Sequence, residues 1–327
     1  MDTRQNEPLL EAVHLKKYFT LPNKKKLHAV DDVSFKIFKG ETLGLVGESG
    51  CGKSTVGNVV MRLLPQTDGK LLFDGKDVFA ATAKEKQEYC QKMQIIFQDP
   101  YSSLNPRKTI RAILREAYEI HANDCCKGMD IDKKVEELCE SVNIPLNLLD
   151  HYPHELDGGM RQVVGIARAL SLEPEFIVCD EPVSALDVSI QAQLLNLMRK
   201  LQREMGLSYI FIAHDLSVVQ YMSDRVAVMY LGNVVELADS EELYNNTMHP
   251  YTQALLSAVP VPVYNAKKDR IILEGDVPSP MNPPSGCPFH PRCSQCMDIC
   301  KKEKPVLREA GQSKHYIACH LYDEKDT

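Results

Sequence analysis

One segment of nine residues has the composition and spacing of a phosphate-binding loop. It fits the pattern G-x-x-x-x-G-K-[ST] and consists of Gly47, Glu48, Ser49, Gly50, Cys51, Gly52, Lys53, Ser54 and Thr55. Glycines let successive backbone N–H groups of such a loop turn toward phosphate oxygens. Lys53 can reach the β- and γ-phosphates of a nucleotide, and the Ser54 hydroxyl can bind Mg²⁺. The segment therefore predicts a nucleotide-binding site.

The residues on either side of this loop suit the same chemistry. Residues 43–46 are predicted to form a short buried strand, and residues 56–64 are predicted to form a helix. The N-terminus of a helix adds a partial positive charge beside a bound phosphate. A glycine-rich turn without a ligand is the alternative, and the strand-loop-helix order favours the phosphate site over it.

Two acidic residues follow an apolar strand predicted at residues 176–179. Asp180 comes at the carboxyl end of this strand, where a nucleotide-bound Mg²⁺ needs an oxygen ligand, usually through water. Glu181 is one residue further on and could polarise an attacking water as a general base. Two acids in a solvated turn would look the same by themselves, but the phosphate loop in the same chain favours the catalytic interpretation.

Gln98 and His214 also follow apolar strands. The amide of Gln98 could contact Mg²⁺ and the attacking water, and a neutral His214 could donate a hydrogen bond to a γ-phosphate oxygen. Taken alone, each side chain is more typical of a surface or capping residue. Their order along the chain with the phosphate loop, with Gly158 and Gly159, and with Asp187 is what indicates a function.

The composition excludes several classes of protein. The formal net charge of the 327 residues is -7, and the longest basic run is three lysines at residues 24–26, which argues against a dedicated nucleic-acid binder. No apolar run approaches the ~20 residues needed to cross a bilayer, and the polar, acidic N-terminus is unlike a signal peptide. We therefore expect a cytosolic protein without a membrane anchor of its own.

Strands alternate with helices along the chain, which predicts a parallel α/β core. Alternating apolar and polar residues at 9–15 and 29–37 predict half-buried antiparallel strands. A helical stretch at about residues 100–164 interrupts the alternation, and prolines become frequent near the end of the chain. We predict an α/β fold of the P-loop NTPase type in residues 1–262, with an antiparallel β subdomain and the inserted helical subdomain. Residues 263–327 are predicted to form a small proline- and cysteine-rich C-terminal extension.

This order of motifs resembles the nucleotide-binding subunit of ATP-binding-cassette (ABC) transporters, over about residues 8–260. In that family the phosphate loop corresponds to the Walker A motif, Gln98 to the Q-loop, residues 156–160 to the signature motif, residues 176–181 to Walker B, residues 184–187 to the D-loop and His214 to the switch histidine. The resemblance implies a RecA-like core, ATP and Mg²⁺ as ligands, and ATP hydrolysis.

The same resemblance implies two further kinds of nucleotide contact. An aromatic side chain of the family stacks on the adenine ring; Phe19 fits that role by its spacing, and Tyr18 is the alternative, although either ring could instead belong to the core. Asp157, Gly158 and Gly159 lie in the signature motif, which in the family meets the nucleotide held by the partner subunit.

Three stretches narrow the family to the ATPases of oligopeptide and dipeptide importers: residues 97–107, 249–256 and 280–293. The last stretch looks most like the F partner of the paired D and F ATPases. With it, the resemblance covers nearly the whole chain.

The importer family implies a mechanism and partners. Two ATPase subunits, here a heterodimer with a second homologous subunit, close head to tail over two ATP molecules and pull on two transmembrane permease subunits. The chain is then a peripheral protein on the cytoplasmic side of the cell membrane, an extracytoplasmic peptide-binding protein takes part indirectly, and no nucleic acid is bound. Dipeptides, oligopeptides and metal chelates stay open as cargo, because recognition belongs to the binding protein and the permeases.

A soluble ABC ATPase outside transport is an alternative of another class. The ATPases of DNA repair and chromosome structure insert long coiled coils, and this sequence has no sustained heptads. An ABC protein of translation usually carries two cassettes, and this sequence has one phosphate loop. The sequence therefore favours the transporter subunit.

Asp157 departs from the family pattern, which has serine at this position. The serine normally meets a γ-phosphate, and a like-charge pair at ~5 Å with an effective dielectric of ~20 costs about 3 kcal/mol. Mg²⁺ and Arg161 could offset part of this cost. Aspartate caps helix N-termini as serine does, so we expect the next helix to be retained. The site completed by this signature motif is expected to be weak, which leaves open a catalytically weak assembly subunit.

Five of the eleven cysteines crowd into residues 287–319. Four of them follow the spacing C-x5-C-x6-C-x18-C, namely Cys287, Cys293, Cys300 and Cys319. Four thiolates in the cytosol suit an iron–sulfur cluster or Zn²⁺, and reduced thiols in a proline-rich tail are the alternative. Some members of the importer family carry a [4Fe–4S] cluster at matching positions, which favours the cluster and leaves Cys296 as a bystander.

Overall fold

The computed structural model describes residues 7–22, 24–122, 126–259, 270–310 and 314–323. The chain divides into two compact units. Unit 1 consists of Met1–Phe79 and Phe211–Thr327, and unit 2 consists of Ala80–Ile210.

The elements are numbered in chain order. The strands are β1 (Leu10–Thr20), β2 (Lys26–Ile37), β3 (Thr42–Val46), β4 (Asp68–Phe73), β5 (Lys76–Asp77), β6 (Met93–Ile96), β7 (Phe176–Asp180), β8 (Ser208–Ile212), β9 (Arg225–Tyr230), β10 (Asn233–Asp239), β11 (Arg308–Glu309) and β12 (Tyr316–Ile317). The α-helices are α1 (Lys53–Val60), α2 (Ala83–Lys92), α3 (Pro100–Ser103), α4 (Ile110–Ile120), α5 (Ile131–Ser141), α6 (Gly158–Leu170), α7 (Val188–Met205), α8 (Leu216–Met222), α9 (Ser240–Asn245) and α10 (Pro250–Ser257). Short 3₁₀ helices lie at Leu146–Leu148, Pro153–Glu155, His290–Arg292, Ile299–Lys301 and His320–Tyr322. Within the described ranges, no helix combines the length and apolar character that crossing a membrane requires.

Unit 1 contains an antiparallel sheet with the strand order β2-β1-β4-β5. Leu10 of β1 lies opposite Ile37 of β2 and Phe73 of β4, and all three side chains are at most 1% exposed. Burying a side chain of this size stabilises a fold by about 1.5–3 kcal/mol. The alternation of apolar and polar residues therefore produces the antiparallel strands that the sequence predicts.

The second sheet of unit 1 places its strands in the order β11-β12-β10-β9-β3. Strand β3 runs parallel to β9, with Leu43 opposite Arg225 and Val46 opposite Val228. All five residues of β3 are buried, as expected for a continuous apolar strand in a parallel arrangement. The phosphate loop begins at the carboxyl end of this strand, and α1 follows it.

The described part of the predicted C-terminal extension belongs to unit 1 rather than forming a unit of its own. Strand β12 pairs with β10, which places Ile317 opposite Glu236. Phe289 is 1% exposed, and its ring centroid lies 5.2 Å from that of Tyr230 and 5.3 Å from that of Tyr251. Strand pairing and aromatic packing thus join this segment to unit 1. The predicted boundary at residue 262 lies outside the described residues.

Unit 2 combines a parallel strand pair with helices. Strands β6 and β7 run parallel, with Met93 opposite Phe176 and Ile96 opposite Cys179. In the predicted helical subdomain, α4, α5 and α6 contact one another. Their fully buried side chains form an apolar core: Ile110, Leu114, Val135, Cys139, Val164 and Ala167.

Several predicted element boundaries differ from the structure. Strand β1 runs to Thr20 instead of residue 15 and β2 begins at Lys26 instead of residue 29, because the two strands stay paired up to Thr20 opposite Lys26. Strand β5 ends at Asp77, whose carboxylate accepts a hydrogen bond from the backbone N–H of Phe79 at 2.9 Å and turns the chain. Helix α1 starts at Lys53, three residues before the predicted start, and the backbone of Arg62 has a φ of 57°, which is incompatible with continuing the helix.

A buried ion pair holds β10 to the C-terminal segment. His315 is fully buried, and its Nε2 lies 2.8 Å from a carboxylate oxygen of Glu236, while its Nδ1 lies 3.5 Å from Glu242. The same Glu236 oxygen accepts a hydrogen bond from the backbone N–H of Met248 at 2.8 Å. Burial lowers the pKa of His315, but hydrogen bonds and charge from Glu236 and Glu242 outweigh burial and raise its pKa overall.

A raised pKa means that the His315 pair stabilises the folded state fully below the unfolded pKa of ~6.5 and loses this contribution as the pH rises through the folded pKa. We predict that His315→Gln lowers the free energy of unfolding by about 1–3 kcal/mol at pH 6 and by less at pH 9. Denaturant unfolding at both pH values measures this difference. His14→Gln, which removes an exposed pair with Asp32, is the control with little effect. An equal loss at both pH values for His315→Gln would contradict the prediction.

Candidate functional site

Two glycines of the phosphate loop lie where no other residue fits. Gly47 and Gly52 have φ angles of 149° and 107°, which L-amino acids with a side chain rarely adopt. A Cβ atom at Gly47 would lie 2.2 Å from the carbonyl oxygen of Met229, and one at Gly52 would lie 2.1 Å from that of Ala29. The backbone of the loop therefore passes directly against β9 and β2, which fixes its path.

Lys53 lies inside the loop. Its side chain is buried, and its Nζ donates hydrogen bonds to the carbonyl oxygens of Gly47 at 2.8 Å and Glu48 at 3.0 Å. Helix α1 begins at this residue, with Gly52 as the N-cap, so the Ser54 hydroxyl stands in the first turn. A cation and a helix N-terminus at a loop with this tightly constrained backbone fit the phosphates of a nucleotide.

Contacts from distant parts of unit 1 hold this loop. The backbone N–H of Glu48 donates to the hydroxyl of Tyr251 at 2.8 Å, and the Glu48 carboxylate accepts two hydrogen bonds from Arg292 at 2.7 and 3.2 Å. The backbone N–H of Gly232 donates to the carbonyl oxygen of Cys51 at 2.8 Å. Burial raises the pKa of the Cys51 thiol, so this side chain is a packed thiol rather than a reactive one.

Unit 2 brings two of the predicted catalytic residues together. Gln98 follows β6, Glu181 follows β7, and the Nε2 of Gln98 donates a hydrogen bond to Glu181 at 2.9 Å. The two residues are 83 positions apart, but parallel neighbouring strands end at the same edge of a sheet. Asp180 is half-buried as the last residue of β7. The two acids and the amide therefore share one edge.

The backbone at Glu181 is unusual. Its φ is 46°, a left-handed conformation that is uncommon for residues other than glycine and is often found at functional sites. Its carbonyl oxygen accepts hydrogen bonds from the Ser184 backbone N–H at 3.3 Å and hydroxyl at 3.1 Å. Asp187 is exposed as the N-cap residue of α7, and its side chain makes no capping hydrogen bond. The turn after β7 thus fixes the position of Glu181.

The signature motif forms the start of α6. Asp157 is the N-cap, and its carboxylate accepts a hydrogen bond from the backbone N–H of Met160 at 2.7 Å, which confirms the predicted capping role. A Cβ atom at Gly159 would lie 2.7 Å from a side-chain carbon of Ile190, so this glycine permits close packing against α7. Gly158 has only ordinary contacts at such a position.

Arg161 does not provide the expected charge beside Asp157. Its side chain is buried, its Nε donates to the carbonyl oxygen of Pro153 at 2.6 Å, and its guanidinium carbon lies 3.8 Å from the ring centroid of Tyr101. Asp157 is exposed at the start of the helix. The guanidinium is therefore committed to Pro153 and Tyr101.

The two aromatic candidates for adenine stacking differ in their contacts. Tyr18 stacks on His28 with ring centroids 4.1 Å apart, and its hydroxyl donates to Asp31 at 2.5 Å. Burial, followed by the hydrogen bond and charge of Asp31, raises the pKa of Tyr18. Phe19 is half-buried, with the Lys17 ammonium 5.0 Å from its ring centroid. Because the Tyr18 ring is already stacked, these contacts favour Phe19, and its role stays a prediction.

The predicted residues divide between the two units. Unit 1 holds the phosphate loop, Tyr18, Phe19 and His214, which is exposed shortly after β8. Unit 2 holds Gln98, the signature motif, Asp180, Glu181 and Asp187.

The cysteine pattern does not form a recognisable metal site. Within the part of the chain that the structure describes, no group of three or more His, Cys, Asp or Glu side chains could hold a metal ion. Burial, with smaller contributions from the charges of neighbouring cysteines, raises the pKa of Cys287 to about 12 and that of Cys319 to about 11. Metals bind thiolates, which burial disfavours. The predicted iron–sulfur or zinc site at Cys287, Cys293, Cys300 and Cys319 is therefore not confirmed.

Tyr251 and Arg292 contact the phosphate loop but are absent from the sequence-based assignment. They lie 203 and 244 residues from Glu48 along the chain. Both fall in stretches that resemble peptide importers, yet a resemblance over a stretch does not say which side chains reach the loop. No local pattern in the sequence links residues at this separation.

Comparison with known proteins identifies the family. A family profile described as "ABC transporter" matches residues 30–184, and one described as "Oligopeptide/dipeptide transporter, C-terminal region" matches residues 235–300. "Oligopeptide transport ATP-binding protein AppF" of Bacillus subtilis is 51% identical over 331 residues, covering 98% of this chain and 100% of its own length. The chain belongs to the oligopeptide/dipeptide family of ABC transporter ATP-binding proteins.

Further matches agree with this membership. "Oligopeptide transport ATP-binding protein OppF" of Haemophilus influenzae is 49% identical over 327 residues, covering 97% of this chain and 98% of its own length. The solved structure of cbiO1 from Clostridium perfringens, part of the ABC transporter complex cbiONQ, has a TM-score of 0.64 and 26% identity. It covers 74% of this ABC protein and 92% of its own chain, which shows the ABC cassette fold.

Proposed function

We propose that this ABC protein binds and hydrolyses ATP to power the import of oligopeptides or dipeptides through a membrane transporter. The phosphate loop carries the proposal: Lys53 lies at the N-terminus of α1, inside a loop in which Gly47 and Gly52 have no room for a Cβ atom. The agreement with oligopeptide transport proteins over 98% of the chain supports the choice of cargo class.

Membership in the ABC family suggests a role for each residue toward the nucleotide. Lys53 and the backbone N–H groups of its loop bind the phosphates, and Ser54 with Asp180 holds the metal ion. Mg²⁺, when bound, neutralises charge that develops on the γ-phosphate. Glu181 accepts the proton of the attacking water, and Gln98, which donates a hydrogen bond to Glu181, orients that carboxylate.

The remaining assignments complete this proposal. His214 donates a hydrogen bond to a γ-phosphate oxygen, and Phe19 stacks on adenine. The signature motif and Asp187 act toward the nucleotide of a second, homologous ATPase subunit, so that the pair is a heterodimer of the D and F type. Two transmembrane permease subunits bind this pair on the cytoplasmic side of the membrane, and an extracytoplasmic binding protein delivers the peptide to them.

The function is tested in the transporter assembled from this chain, its partner ATPase and the permeases. We predict that Glu181→Gln retains Mg-ATP binding and lowers ATP hydrolysis by about 100-fold or more, because the general base is removed. The matched control is Glu175→Gln, which removes an ion pair with Lys92 (2.7 Å) just before β7 and should leave hydrolysis unchanged. Hydrolysis by Glu181→Gln at the parent rate, or a parent protein without affinity for Mg-ATP, would contradict the proposal.

The alternative of a catalytically weak assembly partner is not favoured by the relatives, which are named oligopeptide transport ATP-binding proteins. The exposed carboxylate of Asp157 instead concerns one of the two nucleotide sites of the proposed ATPase pair. We infer that the site completed by this signature motif is weak, because Arg161 is committed elsewhere and no longer compensates the charge. The partner's signature motif then completes the competent site.

We predict that Asp157→Ser raises Mg-ATP affinity and turnover of the assembled transporter by about tenfold, because repulsion of a phosphate is removed while serine still caps the helix. Asp130→Ser, which replaces the N-cap aspartate of α5 in the same way, is the control that should change neither. Unchanged turnover and affinity in Asp157→Ser would mean that the carboxylate does not face a phosphate.

We also propose that Cys287, Cys293, Cys300 and Cys319 bind a [4Fe–4S] cluster, or Zn²⁺ as the alternative. The backbone N–H of Cys287 donates a hydrogen bond to the carbonyl oxygen of Cys300 at 2.8 Å, and the charges of neighbouring cysteines contribute to the raised pKa of Cys287, Cys293 and Cys319, which supports the proposal. Binding would draw the sulfur atoms together as thiolates.

Anaerobically purified protein should show absorbance near about 400 nm that Cys300→Ser abolishes and Cys296→Ser retains, because thiolate-bound iron absorbs visible light. A colourless protein that contains one equivalent of zinc would select the alternative. Protein without either metal would overturn this part of the proposal.

A further inference from the structure

The side chain of Arg292 reaches the phosphate loop from the C-terminal segment. Its two terminal nitrogens donate to the two carboxylate oxygens of Glu48 at 2.7 and 3.2 Å, which is the bidentate geometry of strong charge-assisted pairs. The Arg292 side chain is 8% exposed and that of Glu48 is 27% exposed. The hydrogen bond with Glu48 raises the pKa of Arg292, so the guanidinium stays charged.

The backbone that carries Arg292 is held in place by packing. The 3₁₀ helix His290–Arg292 follows Phe289, whose ring packs against Tyr230 and Tyr251. The carbonyl oxygen of Cys287 accepts hydrogen bonds from the His290 backbone N–H at 3.1 Å and from its Nδ1 at 3.0 Å. The guanidinium of Arg292 therefore has a fixed orientation toward the loop.

Glu48 connects this guanidinium to the group that binds phosphate. Its backbone N–H is held by Tyr251, and its carbonyl oxygen accepts hydrogen bonds from the Cys51 backbone N–H at 3.2 Å and the Lys53 Nζ at 3.0 Å. Holding the Glu48 side chain in place therefore also holds the carbonyl group that accepts a hydrogen bond from Lys53.

We propose that Arg292 is a positioning residue for the nucleotide, an inference that rests on the proposed ATPase function. Arg292 holds Glu48 in place and neutralises its carboxylate beside the phosphate site, without contacting the nucleotide itself.

Charge explains why the pair matters for binding. An unpaired carboxylate in the phosphate loop would repel the nucleotide phosphates both before and during hydrolysis, since the negative charge is present throughout. A repulsion that weakens the bound substrate and the transition state equally raises KM and changes kcat little. Removing both charges at once removes the repulsion, whereas a purely structural role of the pair would make the double variant no better than the single one.

The experiment measures equilibrium binding of Mg-ATP to the full chain, and KM and kcat of the assembled transporter. We expect Arg292→Gln to weaken binding and raise KM by about tenfold, with kcat changed by less than about threefold. The double variant Glu48→Gln/Arg292→Gln should recover most of the affinity. Arg292→Lys should recover part of it, because lysine keeps the positive charge but cannot form the bidentate pair. Arg225→Gln, which breaks the partly buried pair with Glu41 (3.0 Å), is the control for the loss of an arginine pair in unit 1 and should leave KM unchanged.

Thermal unfolding of every variant separates stability from binding. A folded Arg292→Gln protein with parent affinity would overturn the inference, as would a double variant that stays as weak as the single one. If Arg292→Gln does not fold, Arg292→Lys carries the test, and parent affinity in that variant would again overturn the inference. A parent protein that does not bind Mg-ATP would overturn the proposed function together with this inference.

Discussion

The close approach of two backbone carbonyl groups to the phosphate loop is the constraint on which the site depends. The carbonyl oxygens of Ala29 and Met229 stand where Cβ atoms of Gly52 and Gly47 would be. Because these carbonyls belong to β2 and β9, the path of the loop is set by strands from both sheets of unit 1. The path of the loop also positions Lys53, because its Nζ donates hydrogen bonds to the loop carbonyl oxygens of Gly47 and Glu48.

Neighbouring groups determine how each acidic side chain can act. Glu48 faces the guanidinium of Arg292, which cancels its charge beside the phosphate site. Glu181 faces the neutral amide of Gln98, which can orient a carboxylate while leaving its charge available to a water molecule. Asp157 accepts a hydrogen bond from a helix N–H, and the nearest expected cation, Arg161, is turned to other partners. The same chemical group thus serves three purposes.

Local patterns in the sequence predicted much of the fold. The helix expected after Asp157 is present as α6 and begins at Gly158, because the aspartate caps it as the sequence predicts. Helix α2 is absent from the sequence-based prediction although Thr82 and Glu85 form a capping box that could have revealed it. The pairing of β12 with β10 and the contact of Arg292 with Glu48 join distant segments, and no periodicity encodes such contacts.

The C-terminal segment is therefore better understood as part of the nucleotide-binding unit than as an appendage. Cys287 accepts the hydrogen bonds that orient His290, and the same short helix ends at Arg292. The backbone N–H of Cys287 in turn donates to the carbonyl oxygen of Cys300 at 2.8 Å. The backbone from Cys287 to Arg292 therefore links the conformation around these cysteines to that of the phosphate loop. An interaction that stabilises the backbone around Cys287 and Cys300, with or without a metal, therefore also stabilises the guanidinium of Arg292 that holds Glu48.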